Sequence, residues 1–244
     1  LTAMSKGKIG SYWFGSGTPT YLIKMLNKFG VEPSEIGPLA AKSSAFNAPT
    51  ETMTTIIPLL YQSGYITIKG YDEELDLYTL DIPNKEVRLG LMESLLPDYV
   101  ASKTSEATTM VAYLSRDIRN DDMDSALRRL QTFLSTIPYC DNTRYEGHYQ
   151  QMFYIIFSLL GSFVDVEVRT PRGRVDVVLR TKTTLYVMEL KLDKTAGEAM
   201  EQINLKNYPE RFALCGLPVV KVAINFDSER CTIGEWKLQT IDKW

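Results

Sequence analysis

Two neighbouring apolar segments in the last third of the chain carry charged residues, and this combination most limits how the chain can fold. Residues 174–181 read Arg-Val-Asp-Val-Val-Leu-Arg-Thr, and residues 185–192 read Leu-Tyr-Val-Met-Glu-Leu-Lys-Leu. Both segments are typical of β-strands. Alternate side chains of a strand share a face, so Glu189 and Lys191 point the same way. Because charges are rarely placed in buried strands unless they are paired or bind metal, the sequence predicts a compact polar site formed with Asp176.

The elements on either side of this hairpin predict an α/β domain with a mixed sheet. Their order is αβββαβ, with one more strand at the end. The predicted helices cover 145–160 and 195–208, and the predicted strands cover 164–170, 174–181, 185–192, 219–226 and 234–241.

The N-terminal half has a different pattern of helices and short strands. Helices are predicted over 20–28, over 50–62 and twice within 103–136, with strands at 65–69 and 77–80. A helix followed by a β-hairpin is typical of a winged-helix module. The acidic turn 72–76 would repel phosphate, so we favour a structural role for this module. With Pro138 as a boundary, the predicted regions are a helical, winged-helix-like part at 1–98, a helical connector at 99–138 and an α/β domain at 139–244.

The segment Gly173-Arg174-Val175-Asp176, followed by Glu189-Leu190-Lys191, resembles the PD-(D/E)XK motif of restriction-type nucleases. Val175 stands where the family has proline, a change that does not touch a ligand. The resemblance implies a restriction-endonuclease-like αβββαβ core and metal-dependent hydrolysis of nucleic acid, most readily DNA.

The resemblance also implies roles for individual residues. Asp176, Glu189 and the Leu190 backbone carbonyl would hold Mg²⁺ or Mn²⁺, since these cations prefer oxygen ligands. Lys191 would orient the attacking water or neutralise charge that develops on the phosphate. Glu146 lies on the preceding helix, where the family places another acid, and Gln202 lies on the following helix, where several branches carry glutamine. The nucleic-acid-binding residues are expected to be Arg172, Arg174, Lys206 and Tyr208.

The segment Glu198-Ala199-Met200-Glu201-Gln202-Ile203, with Lys206 and Tyr208, most resembles the branch in bacterial proteins that also contain an AAA-ATPase-like domain. Residues 12–26 resemble the end of such an ATPase domain. Gly15-Ser16-Gly17 lacks the P-loop pattern, so ATP would bind only to a domain absent from this chain. Leu1 is not an initiator methionine, and we expect the chain to be a fragment or a processed product.

The composition leaves alternatives open. The net charge of −3 is unusual for a nucleic-acid-binding protein, although the local cluster formed by Arg169, Arg172, Arg174, Arg180 and Lys182 can bind phosphate. Alternatively, that cluster is a solvated hairpin, Asp176 and Lys191 form a structural ion pair, or the domain is a catalytically silent DNA-binding or regulatory module. An odd number of cysteines without metal spacing indicates reduced thiols, and we expect a cytoplasmic protein without a membrane segment. Homo-oligomerisation stays open.

Overall fold

The computed structural model of the chain describes residues 19–49, 53–100, 104–137, 145–161, 165–169, 174–205 and 216–241. The chain divides into two compact units, residues 1–95 and 96–244. Within the described residues, no helix combines the length and the apolar character that crossing a bilayer requires.

The first unit combines short helices with a three-stranded antiparallel sheet. The strand order is β1-β3-β2, and Phe46 packs on the rings of Tyr61 and Tyr78 beside this sheet. Its elements are α1 (Pro19–Phe29), β1 (Leu39–Ala41), α2 (Ser43–Phe46), α3 (Ile57–Gln62), β2 (Thr67–Asp72), β3 (Leu77–Asp81) and most of α4 (Lys85–Val100), with a 3₁₀ turn at Pro33–Glu35.

Two predictions for this unit need correction. The helix predicted over 50–62 begins at Ile57, with Pro58 in its first turn, where a missing N–H costs little; residues 50–52 lie outside the described residues. The strand predicted from Tyr65 begins at Thr67, because the N–H groups of Tyr65 and Ile66 donate to the Leu60 carbonyl at the end of α3. The helix α4 was not predicted from the sequence.

The second unit confirms the predicted αβββαβ order and its mixed sheet. The strand order is β4-β5-β6-β7-β8; β6 and β7 are parallel, and the other neighbours are antiparallel. Its elements are the end of α4, then α5 (Thr104–Arg119), α6 (Met123–Ser135), α7 (Tyr145–Leu160), β4 (Asp165–Arg169), β5 (Arg174–Arg180), β6 (Leu185–Leu192), α8 (Ala196–Leu205), β7 (Val219–Asp227) and β8 (Thr232–Ile241).

The two faces of this sheet bury different helices. On one face, α8 packs Ala199 and Ile203 against the strands in an apolar cluster with Leu185, Val187, Val219 and Ala223. On the other face, Tyr149 and Phe153 of α7 contact the Phe226 ring, with ring centroids 4.4 and 5.4 Å apart. Burial of each large apolar side chain contributes about 1.5–3 kcal/mol, so both helices are held firmly on the sheet.

Polar contacts fasten the α5–α6 hairpin. Asp117 is only 7% exposed and accepts from Arg129 Nε at 2.7 Å, with Arg116 Nε at 3.4 Å. In the turn between the helices, Asp121 accepts from Thr183 Oγ1 at 2.8 Å and from the buried Tyr186 hydroxyl at 3.0 Å. The hairpin is thereby tied to the β5–β6 turn.

Candidate functional site

The β5–β6 pairing brings the two predicted acids of the site side by side. Asp176 and Glu189 are directly opposite in the antiparallel register, so their side chains leave the sheet on the same face. Directly opposed residues have Cβ atoms about 4.5–5.5 Å apart, a separation at which two carboxylates can share one cation. Glu189 is fully buried and Asp176 is 8% exposed. The oxygens Oε1 of Glu189 and Oδ1 of Asp176 are shielded from solvent.

Lys191 lies two residues beyond Glu189 and therefore on the same face of β6. Its ammonium donates to Gln202 Oε1 of α8 at 3.0 Å. An ammonium has three N–H bonds, and this contact uses one of them. The glutamine thus holds the lysine beside the acids while leaving donor capacity for a ligand.

The acids belong to a row of side chains that crosses the whole sheet. Successive register partners are Arg169 on β4, Asp176, Glu189, Ala223 on β7 and Lys237 on β8. We call this set the cross-strand row. Neighbouring strands are about 4.8 Å apart. The acidic pair therefore has Arg169 on the strand next to Asp176 and Lys237 two strands away from Glu189. The small Ala223 side chain lies next to Glu189 and is fully buried in the apolar cluster beneath α8.

The start of α8 is fixed by a capping box. Thr195 Oγ1 accepts from Glu198 N at 3.1 Å, and Glu198 Oε2 accepts from Thr195 N at 2.9 Å. The backbone and side-chain hydrogen bonds from Thr195 lower the pKa of Glu198, with a smaller contribution from Lys194 and Lys191. Reciprocal capping of this kind sets where a helix begins, and therefore which residue of α8 reaches Lys191.

The remaining predicted site residues are less fully described. Glu146 is in the first turn of α7 and Arg174 is the register partner of Lys191, but for both only the backbone is described. Arg172, Lys206 and Tyr208 lie outside the described residues. Leu190 points its buried side chain to the opposite face, as the alternation requires.

The described donors suit some cations better than others. The described residues contain no group of at least three His, Cys, Asp or Glu side chains able to hold a metal. A structural zinc site, which needs four protein ligands, therefore does not fit these residues. Mg²⁺ usually takes one or two carboxylates and completes its shell with water and substrate phosphate. The pair Asp176 and Glu189, with the backbone carbonyl of Leu190, matches that requirement.

Sequence reasoning missed the residues that hold the turn between β6 and α8. Asn225 and Glu235 each accept a backbone N–H from this turn, at 3.1 Å from Lys194 and 2.7 Å from Ala196. One signal was available, because Asn225 interrupts the apolar segment 222–226 of β7.

Comparison with known proteins agrees with this geometry. Residues 144–236 match the family model of the PD-(D/E)XK nuclease superfamily, a range that contains Glu146, Asp176, Glu189, Lys191 and Gln202. A protein of Azotobacter chroococcum mcd 1, described as an uncharacterized protein in the vnfD 5′ region, is 28% identical over 96% of this chain. The alignment covers 47% of that protein, so the chain spans about half the length of this curated relative. No solved structure matches the chain significantly.

Proposed function

We propose that this protein is a metal-dependent nuclease that hydrolyses phosphodiester bonds of nucleic acid, with DNA as its substrate. The observation that carries the proposal is the in-register pair of buried acids, Asp176 and Glu189, with Lys191 on the same face. A binding module has no chemical need for two adjacent buried carboxylates, which are costly to desolvate. The superfamily match over residues 144–236 supports the same chemistry.

In this proposal the acids and the Leu190 carbonyl hold Mg²⁺ or Mn²⁺. The resemblance also assigns Glu146 to this set, where it would order the acids; its helix, α7, packs on the face of the sheet opposite to α8. When bound, the cation supplies Lewis-acid polarisation of the phosphate and lowers the pKa of a nearby water.

Lys191 acts on the charge that develops as the phosphodiester bond breaks. Its ammonium is a compact, mobile cation, suited to a phosphate oxygen as a point charge. Gln202 is assigned the task of aiming it, because its Oε1 accepts one of the ammonium protons at 3.0 Å. Preorganised charge of this kind is often the largest single contribution to catalysis.

Nucleic-acid binding is proposed for a local basic surface, since the chain as a whole carries a charge of −3. Arg172, Arg174, Lys206 and Tyr208 are the proposed contacts. Arginine and lysine contribute through phosphate and counterion release, which makes binding strongly salt-dependent. We therefore expect affinity to fall steeply between low and physiological salt.

Coupling to an ATPase-like domain is the most distant part of the proposal. Its support is the resemblance of residues 12–26 to the end of such a domain and the greater length of the A. chroococcum relative. ATP would then act through that domain, and no residue of this chain is assigned to it.

The test is a cleavage assay with the purified chain. Supercoiled and linear double-stranded DNA, single-stranded DNA and RNA are each incubated with Mg²⁺, with Mn²⁺ or with EDTA. We expect metal-dependent cleavage of DNA that is lost in Asp176→Asn and in Glu189→Gln, two variants that keep side-chain size. Binding without cleavage of any substrate, under every metal condition, would instead identify a catalytically silent module.

A further inference from the structure

We propose that Asn225 and Glu235 are positioning residues that hold the turn after β6, and through it the contact between Lys191 and Gln202. This inference rests on the proposed nuclease function. It adds two residues, from β7 and β8, to the proposed site residues on β5, β6 and α8.

The turn in question is short and begins directly after the site. Lys191 is the penultimate residue of β6, and α8 begins at Ala196. Asp193, between them, has a positive φ of 50°, a conformation that few residues other than glycine adopt readily. Aspartate is one of the few residues besides glycine that tolerate this conformation, and contacts from outside the turn further stabilise its shape.

Asp193 N donates to the Phe226 carbonyl of β7 at 2.9 Å, and three further groups of contacts from the β7–β8 hairpin, each with a side chain, also stabilise the turn. Asn225 Oδ1 accepts from Lys194 N at 3.1 Å, and Glu235 Oε1 accepts from Ala196 N at 2.7 Å. The Asp193 carboxylate accepts from Ser228 N and Ser228 Oγ, at 2.8 and 2.7 Å. We call these contacts the turn clamp. Its contact with Glu235 satisfies the Ala196 N–H, one of the backbone groups at the start of α8 that the helix itself leaves without a partner.

The location of the clamp ties it to the site. Asn225 is the register partner of Lys191 on β7, and Glu235 is the partner of Asn225 on β8. The clamp is therefore the next row along the sheet from the cross-strand row, on the same face. A shift of the turn would move α8 along the sheet and carry Gln202 away from the Lys191 ammonium.

A bulge in β8 makes room for the clamp. The register shifts after Asn225, so Gly234 is the extra residue between Glu235 and Ile233. A Cβ added to Gly234 would lie 3.0 Å from Asn225 Nδ2, tighter than an ordinary contact. Bulges are common beside active sites, where they redirect side chains. Here the bulge and the absence of a side chain at Gly234 leave room for the Asn225 amide.

The experiment compares Asn225→Ala with Asn204→Ala. Both changes delete an amide that accepts a hydrogen bond at α8; Asn204 accepts from Lys221 at the other end of the helix, at 2.7 Å. Gly234→Ala serves as a second test variant, because it displaces the Asn225 amide without deleting any hydrogen-bonding group. Amide hydrogen exchange of residues 193–199, acetylation of the Lys191 amine followed by mass spectrometry, and kcat and KM for DNA cleavage are measured.

We expect Asn225→Ala to speed exchange in 193–199 and acetylation of Lys191 by about 5- to 10-fold, which corresponds to the loss of one hydrogen bond. We expect kcat to fall about 10- to 100-fold with KM nearly unchanged, because misplacement of a catalytic group falls on turnover. Gly234→Ala should change the exchange rate, the acetylation rate and kcat in the same direction as Asn225→Ala. Asn204→Ala should leave these three quantities near their wild-type values.

Two results would refute the proposal that the turn clamp positions Lys191. Exchange and acetylation that do not respond to Asn225→Ala would show that the turn does not depend on this residue. Faster exchange with an unchanged kcat would reduce the clamp to a structural role. If the wild-type chain cleaves no nucleic acid, the proposed nuclease function fails, and acetylation of Lys191 then decides by itself whether Asn225 positions that lysine.

Discussion

Removal of the Lys191 ammonium should nearly abolish cleavage while leaving the fold intact. In the structure the ammonium makes a hydrogen bond to Gln202 at 3.0 Å. Loss of one such contact costs about 0.5–1.5 kcal/mol of stability. For the unit of residues 96–244, that corresponds to a fall in Tm of a few degrees. In contrast, removal of a preorganised electrostatic donor lowers kcat by about 10²–10³, or roughly 2.7–4 kcal/mol.

The chain provides a matched control for this change. Lys221 lies on β7 and donates to Asn204 Oδ1 of α8 at 2.7 Å, the same kind of contact between a strand lysine and an amide of the same helix. Both lysines are partly buried. Lys191→Ala and Lys221→Ala should therefore lose similar stability, and only Lys191→Ala should lose turnover. Comparison of the two variants separates the chemical role of the lysine from its packing.

The assay records Tm, cleavage rate and DNA affinity on the same preparations. Affinity should change little in either variant, because one phosphate contact is a small share of the total. If Lys191 instead serves as the ion-pair partner of a buried Asp176, its truncation leaves a buried carboxylate without its counter-charge. That loss lowers the free energy of unfolding by about 3–5 kcal/mol. A large fall in Tm for Lys191→Ala alone, with wild-type protein inactive on every nucleic acid, would refute the catalytic reasoning.

Three further predictions concern the metal, the pH dependence and the helical hairpin. Asp176→Asn should weaken Mg²⁺ binding in calorimetry, because a neutral amide is a poorer ligand for a hard cation, while DNA affinity should stay equal or rise. Although burial alone would raise the pKa of Asp121, hydrogen bonds from Thr183, Thr184 and Tyr186 lower it below its ordinary value. This carboxylate therefore contributes stability that is present above about pH 4 and is lost as the pH falls through the lowered pKa. Tyr186→Phe should make the acid-side loss of Tm shallower, and a variant with an unchanged slope would contradict this. Arg129→Ala should cost about 1.5–3 kcal/mol in chemical denaturation, because it removes a charged hydrogen bond from the buried carboxylate between α5 and α6. Arg128→Ala, which breaks an exposed ion pair, should cost about 0.2–1 kcal/mol.

The sequence was most informative where pattern and burial coincide. The helix 145–160 and the strand 185–192 were predicted with the bounds that the structure has, because each contains a strongly apolar segment and has clear ends. The shared face of Glu189 and Lys191 follows from the alternation within one strand. The register that places Asp176 opposite Glu189 depends on the turn between the strands. The sequence is compatible with this register but does not specify it.

The sequence was least informative where structure depends on contacts between distant residues. The helix α4 carries a glycine and a proline, Pro97, and its apolar residues do not follow one face, so its pattern resembles irregular chain. The turn clamp joins residues about 30 to 40 positions apart, such as Lys194 with Asn225 and Ala196 with Glu235. Such pairs have no local signal and become visible only when the strands are aligned.

One face of β6 carries both residues that stabilise the fold and residues of the proposed chemistry, and these two groups occupy different halves of the strand. Leu185 and Val187, in the first half, bury themselves under Ala199 and Ile203 of α8. Glu189 and Lys191 continue the same alternation in the second half, where α8 offers Gln202 in place of an apolar side chain. The apolar half holds the helix on the sheet, and the helix then holds the lysine. A substitution in the apolar half, such as Ile203→Ala, should therefore lower kcat as well as stability, although Ile203 lies outside the proposed chemistry.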